Sequence, residues 1–441
     1  MEEPASRDGL QTPVDSRGSF VLAAAIPFLF LHATYQPTLH LGAGGAELDV
    51  TLADLAIALV VLTAAFTARH VGVAPLRRAR FVLAAGAVFL ALAWLSLLLP
   101  WLRDQDYPFL LRTVSLAKFT WYALLAPATL LLIRRAEDFT WPARSLVGWS
   151  AAATGFGLLQ FAGLVNEFEG KRPGQREPSF VGIHDFAALS GAALTLGLVG
   201  LLFADGRPLG CRWCGPAIAV GALGIVISGA MTAVIGMWLA VAALALLARN
   251  ARTLSRRAAG ITVLVAVLVT LGTSLMRADT LTHFAEFLGL RDETDQSEIQ
   301  SYAHRALLGY IGLQIFLDHP LTGVGWNSSG DEFAFGPVLQ AAHARFPNEP
   351  DDAFPSAEHP WGVQNLYLQT LADLGVGGFA ALLALAAAAI TAAIRRPGEL
   401  QRIGLAWTLV CAGVWLGLGL VAGIPVLALT WIGLGLAGAD G

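Results

Sequence analysis

This sequence predicts an all-α, polytopic membrane protein with about twelve transmembrane helices and one large outer loop, and three observations carry that fold class. The 441 residues are 56% hydrophobic and only 14% charged, too little charge to coat a water-soluble protein of this length. The apolar residues fall in repeated runs of about 18 or more, the length that crosses the hydrocarbon core of a bilayer. One long polar stretch, Arg277 to Gly362, interrupts those runs. The net charge of −4 excludes little, because in a membrane protein the placement of Lys and Arg matters more than their sum.

The spans centre near Ala25, Ile57, Leu90, Tyr122, Gly155, Leu194, Ala222, Leu239, Val265, Ala380, Val410 and Leu429. Residues 1–276 thus hold about nine spans, 277–363 form the outer loop, and 364–441 hold about three more spans. Met1 to Arg17 carries both signs of charge and two prolines. The apolar run from Phe20 to Tyr35 exceeds a signal-peptide core and lacks a small-x-small cleavage site, which reads as a retained first span. Gly and Pro inside spans are tolerable where neighbouring helices satisfy the backbone. The small-residue row Gly191, Ala192, Ala193 predicts close helix contact. No internal repeat supports an inverted-repeat transporter.

Basic residues set the orientation. With the N-terminus inside, the connections on that side hold eighteen of the twenty-eight Lys and Arg, among them Arg77, Arg78, Arg80, Arg134, Arg135, Arg256, Arg257, Arg395 and Arg396. This obeys the positive-inside rule and returns the C-terminus to the cytoplasm. The stretch from Arg277 to Gly362 and the shorter loop from Asn166 to His184 then lie outside. In the long stretch, Leu307, Leu308, Ile311, Leu313, Ile315 and Phe316 recur at helical spacing. They predict an amphipathic helix over about Glu298 to Asp318, lying at the membrane surface and stopped by His319-Pro320. Gly323 and Gly325 follow, able to turn or to let backbone approach a ligand closely. Acidic residues and prolines between Asp331 and Pro360 suggest a lid or a loosely held loop.

Arg305 is the foremost chemical candidate, since a guanidinium matches phosphate oxygens bidentately and keeps its charge. A lipid-headgroup arginine is its other reading. Lys171, Arg172 and Arg176 form a basic cluster suited to an anionic donor or a headgroup. Six of nine histidines (His184, His283, His304, His319, His343, His359) lie in the two outer loops, where a histidine can act as a general base. They show no H-x-x-x-H spacing, and the single C-x-x-C of Cys211 and Cys214 has no second pair, so no metal and no cofactor is expected. A nucleic-acid partner is not expected either.

Arg305, the run Asp318-His319-Pro320-Leu321-Thr322-Gly323-Val324-Gly325, and Gln364-Asn365-Leu366-Tyr367-Leu368-Gln369 before Asp373-Leu374-Gly375-Val376-Gly377-Gly378 together resemble the large periplasmic loop of the bacterial O-antigen ligase and polymerase superfamily. The layout of spans is similar. The resemblance implies a metal-independent glycosyltransferase of the inner membrane. It would move a glycan from an undecaprenyl pyrophosphate carrier to a hydroxyl on an acceptor glycan, lipid or protein. Family arginines neutralise the pyrophosphate, and a loop histidine activates the acceptor. The sequence departs from the family at two places. Gln364-Asn365 stands where His-Asn is common, and glutamine cannot take a proton at neutral pH. Ser228-Gly229-Ala230-Met231-Thr232 lacks the arginine that often follows the serine. The expected catalytic set is therefore Arg305, His359 as substitute base, and Gln364. Arg176 or Arg345 would be the second phosphate contact, and His319, Gly323, Gly325, Asn365 and Tyr367 complete the substrate-binding set. Two other classes stand beside this one, a transporter or flippase for an amphipathic substrate and a catalytically degenerate scaffold.

Overall fold

A computed structural model of the protein describes residues 15–43, 46–103, 107–165, 173–203, 209–287, 301–421 and 423–439. Every predicted span centre falls inside a helix. Among the described residues, eight helical stretches are long and apolar enough to cross a membrane: Leu52–His70, Arg80–Leu102, Phe109–Leu132, Ile183–Phe203, Met231–Asn250, Arg256–Met276, Leu366–Arg395 and Glu399–Gly417. Gly18–Leu29, Arg212–Ser228 and Ile424–Gly438 are apolar but shorter. Thr140–Phe161 has the length, at 22 residues, but carries Arg144, Ser150, Thr154 and Gln160 along it.

The structure adds one element to the all-α reading. Thr38–Ala43 and Ala46–Thr51 pair as an antiparallel hairpin. Alternation about Gly44-Gly45 was its sequence signal. Thr51 ends the hairpin and opens the next helix through a capping box with Asp54, which spends two orphan N–H groups of the first turn. Asp54 also accepts from the Tyr122 hydroxyl and lies 3.3 Å from Lys118 Nζ. Asp54 and Lys118 are therefore bound to each other.

Helix packing follows the small residues. Gly191 leaves room for Val410, and Ala192 offers its carbonyl to Trp407 Nε1 at 3.2 Å. Gly236 and Gly413 face each other so closely that a side chain at 413 would meet the Gly236 nitrogen at 2.2 Å. Close backbone approach of this kind is how membrane helices gain dispersion contact without a hydrophobic driving force.

The stretch from Ser301 to Gly362 is a packed module, not the loosely held loop expected between Asp331 and Pro360. The predicted helix is Ser301–Asp318, and Glu298 lies outside the described residues. Its Leu307, Leu308, Ile311 and Ile315 are buried, but against Val324, Ala334, Phe335, Val338, Ala342, Ala353 and Phe354. It also packs on the Leu366–Arg395 helix. The segment read as a loose loop thus supplies the other half of this small core. Ala334, Phe335, Val338 and Ala342 are spaced for one helical face, a pattern hidden among prolines and acids. The segment leaves and returns at one place, since a side chain on Gly330 would meet Gly362 Cα at 3.3 Å.

The module is stitched to the membrane helices at a kink. Gly375 interrupts the Leu366–Arg395 helix with φ 66° and ψ −167°. Beside it, Val324 and Gly325 donate to the carbonyls of Ala372 and Asp373, and Val376 donates to Pro320. Asp373, fully buried, accepts from the backbone N–H of Asn327 and Ser329 at 3.0 and 2.8 Å. Trp326 is completely buried and donates to Ser115 Oγ at 2.8 Å. Arg112 pairs with Asp331. A side chain at Gly323, itself at φ 63°, would meet the Asp373 carbonyl at 2.3 Å. Gly323→Ala is therefore expected to cost about 2 kcal/mol or more, from left-handed strain and overpacking together. Gly336→Ala, where a methyl meets nothing within 4 Å, should leave stability within about 0.5 kcal/mol of wild type. Thermal unfolding of the purified variants in detergent checks the pair.

Candidate active site

Several helix ends meet where the outer module joins the bundle. Ile183–Phe203 and Met231–Asn250 begin there, and Arg212–Ser228 and Arg256–Met276 end there. Leu366–Arg395 starts there, and the Trp415–Gly417 turn closes the preceding helix. Arg305 enters from the first turns of Ser301–Asp318. Its Nε donates to Gln364 Oε1 at 3.3 Å, and Nη2 lies 3.0 Å from His184 Nε2. A guanidinium has no acceptor, so it is the donor here and His184 Nε2 is the unprotonated ring nitrogen. His184 Nδ1 is buried with no hydrogen-bond partner among the described residues, as is the Thr232 hydroxyl. Both side chains border Gly417, where an added side chain would meet each at 3.2 Å.

Two more arginines complete the cluster. Arg176 and Arg277 bear on His184 electrostatically together with Arg305. They meet over Gly229, where a side chain would touch Arg176 Cβ at 2.8 Å and Arg277 Cδ at 3.5 Å. Gly229 adopts φ 61° and caps the Arg212–Ser228 helix, a left-handed position that favours glycine. The place where an arginine was sought in the sequence is thus an opening filled by arginines from two other segments. Arg277 is buried, with its guanidinium 5.0 Å from the Tyr302 ring, and its Nε has no partner among the described residues. Arg176 is held by its loop. Glu177 N donates to Ile227, Ser179 Oγ donates to Ala153, and His32 N donates to Phe180. Burial works against the Arg305 charge, and Arg277 adds repulsion. A cluster of like charges held this way is suited to a polyanion.

The remaining candidates stand elsewhere or are occupied by protein. His359 is exposed and stacks on Trp361; Arg305 has no hydrogen bond to it. The Trp361 ring that it stacks on also lies edge-on to His304, the neighbour of Arg305. His319 ends the Ser301–Asp318 helix, fourteen residues beyond Arg305 and so roughly 20 Å along the axis. Arg345 is exposed beside Phe346. Gly323 and Gly325 make their close approaches to the protein's own backbone and to Pro100. Asn365 caps its helix by accepting from Tyr367 N and Leu368 N, and donates to the Leu416 carbonyl. The Tyr367 hydroxyl donates to Ala412 at 2.7 Å. Lys171 and Arg172, and the side chain of His283, lie outside the described residues. Among the described residues no group of His, Cys, Asp and Glu is arranged to hold a metal.

The residues that the sequence reading underused are His184 and Arg277. His184 was one of six outer histidines, and Arg277 marked only a boundary. The signal available was position, since each abuts the end of a predicted span.

His304 adds a pH-sensitive contact beside Arg305. It is buried with its ring edge-on to Trp361. Burial lowers its pKa, its hydrogen bond with the Ala353 backbone opposes this, and Arg305 lowers it further. The unfolded chain then binds a proton that the folded one refuses. This contribution to stability is intact above the ordinary value of about 6.5 and is lost as pH falls below it. The melting temperature of His304→Asn should accordingly fall less than that of wild type between pH 7 and pH 5.

A family model described as O-antigen ligase matches residues 216–383. The matched segment contains Arg277, Arg305 and Gln364, while Arg176 and His184 precede it. No curated protein matches the chain.

Proposed function

We propose, from the premise that residues 216–383 belong to the O-antigen ligase family, that this protein is a membrane glycosyltransferase acting on lipid-linked glycans. The observation that carries the reading is the convergence of Arg305, Arg176 and Arg277 on His184 and Gln364. In this reading the arginines bind the pyrophosphate of an undecaprenyl pyrophosphate-linked glycan. His184 Nε2 takes the proton of the acceptor hydroxyl once the donor engages Arg305 and frees that nitrogen. The acceptor oxygen bonds to the sugar C1 as the C1–O bond to the pyrophosphate breaks. The pyrophosphate leaves with the electron pair, and fixed guanidinium groups stabilise the charge where it develops. Gln364 orients Arg305, since its carbonyl accepts from Nε. His184 here takes the role first assigned to His359.

In this reading the arginine cluster faces the periplasm and the arginine-rich connections face the cytoplasm, an orientation that the distribution of basic residues supports. In this reading the acceptor is a hydroxyl of a lipid A core sugar, of a second repeat unit or of a protein side chain. A transporter reading draws no support from the buried carboxylates, because Asp185 and Asp373 both accept backbone N–H groups at helix and loop junctions. The test is transfer by the purified protein in proteoliposomes supplied with an undecaprenyl pyrophosphate-linked oligosaccharide and candidate acceptors, in chelator. Glycosylated acceptor is the expected product. Absence of transfer with every acceptor class, together with substrate movement across the bilayer, would replace this reading with transport.

A further inference from the structure

The opposite end of the bundle carries a second basic site. Arg77 and Arg78 end the short Ala74–Arg78 helix, Arg80 opens the Arg80–Ser96 helix, and Arg395 and Arg396 close the Leu366–Arg395 helix. These five side chains line one cleft of about 610 Å³. Among the described residues no acidic residue lines it. Arg77, Arg80 and Arg395 have no carboxylate partner among the described residues, and Arg80 lies 4.9 Å from the centroid of the Phe81 ring. The cleft continues along the membrane-spanning part of the Leu366–Arg395 helix, over Ala384, Ala387 and Thr391. Phe81, which borders it, is 66% exposed. Cations at the rim and a smooth apolar wall below match one amphiphile, oriented as a bilayer lipid is.

We propose that this cleft binds an anionic phospholipid, its headgroup phosphate among Arg77, Arg80 and Arg395 and one acyl chain along the alanine wall. Guanidinium forks suit phosphate oxygens, and basic pockets between helices at the cytoplasmic face are suited to anionic headgroups. The alanine wall selects a lipid over free phosphate. The site is separate from the Arg305 cluster, at the other ends of the helices, and does not depend on the function proposed for that cluster.

Native mass spectrometry of the delipidated protein tests it, with phosphatidylglycerol, phosphatidylcholine, undecaprenyl phosphate or inorganic phosphate added back. Wild type is expected to retain phosphatidylglycerol at least tenfold better than phosphatidylcholine. The triple variant Arg77→Gln, Arg80→Gln, Arg395→Gln should lose that preference. Ala387→Trp, which fills the wall and keeps every charge, should weaken retention at least fivefold. All these positions are exposed, and unchanged melting of each variant confirms folding. Equal retention by wild type and both variants overturns the proposal. So does competition by inorganic phosphate as effective as by lipid, or retention of undecaprenyl phosphate in preference to phosphatidylglycerol.

Discussion

Arg305→Ala is expected to reduce glycan transfer about a hundredfold or more while leaving the protein folded. Removing one fixed donor from a developing negative charge costs about 10²–10³ in rate, and Arg305 is in addition the residue that joins Gln364 to His184. Arg305→Lys should recover little. An ammonium restores the charge but cannot address two acceptors with a planar fork. Steady-state transfer with purified variants gives the comparison, and the size-exclusion profile reports folding. Transfer by Arg305→Ala within threefold of wild type would show that the cluster is a headgroup contact and not the reaction centre.

Second in size is the effect of His184. His184→Gln should lower transfer by about a hundredfold or more, the range general-base catalysis supplies, and His359→Ala should change it less than threefold. Glutamine can still accept from Arg305, so the geometry of the cluster survives and the proton acceptor does not. The loss should fall on kcat more than on KM, because the hydrogen bond that positions Arg305 is retained. The reverse pattern, with His359→Ala inactive and His184→Gln active, would return the base to the exposed turn.

The contrast between these two histidines shows what a sequence can carry. Helix centres were legible because hydropathy is local, and every predicted centre lies in a helix. Arg305 and Gln364 were legible as a motif. The partner of Arg305 was not, since His184 is 121 residues away and no spacing rule reaches across several spans. His359 stands out by nearness along the chain, and in the fold it is exposed and stacked on Trp361. Arg176 was legible as part of a basic loop, but the opening above Gly229 that admits it and Arg277 exists only in three dimensions. In the outer module, charge and proline masked the few apolar residues that build its core. A dozen buried side chains suffice there, too few to dominate composition.

The near contact of Gly330 with Gly362 has a practical meaning. Residues 331–361 depart from the scaffold and rejoin it at almost one point, whereas Arg305, the Asp373 clamp and Gln364 lie outside that interval. Across so short a gap the closure entropy of a segment changes only slowly with its length. Any segment that replaces this interval must again cover Leu307, Leu308, Ile311 and Ile315, and chimeras built to that requirement would leave Arg305 and Gln364 in place.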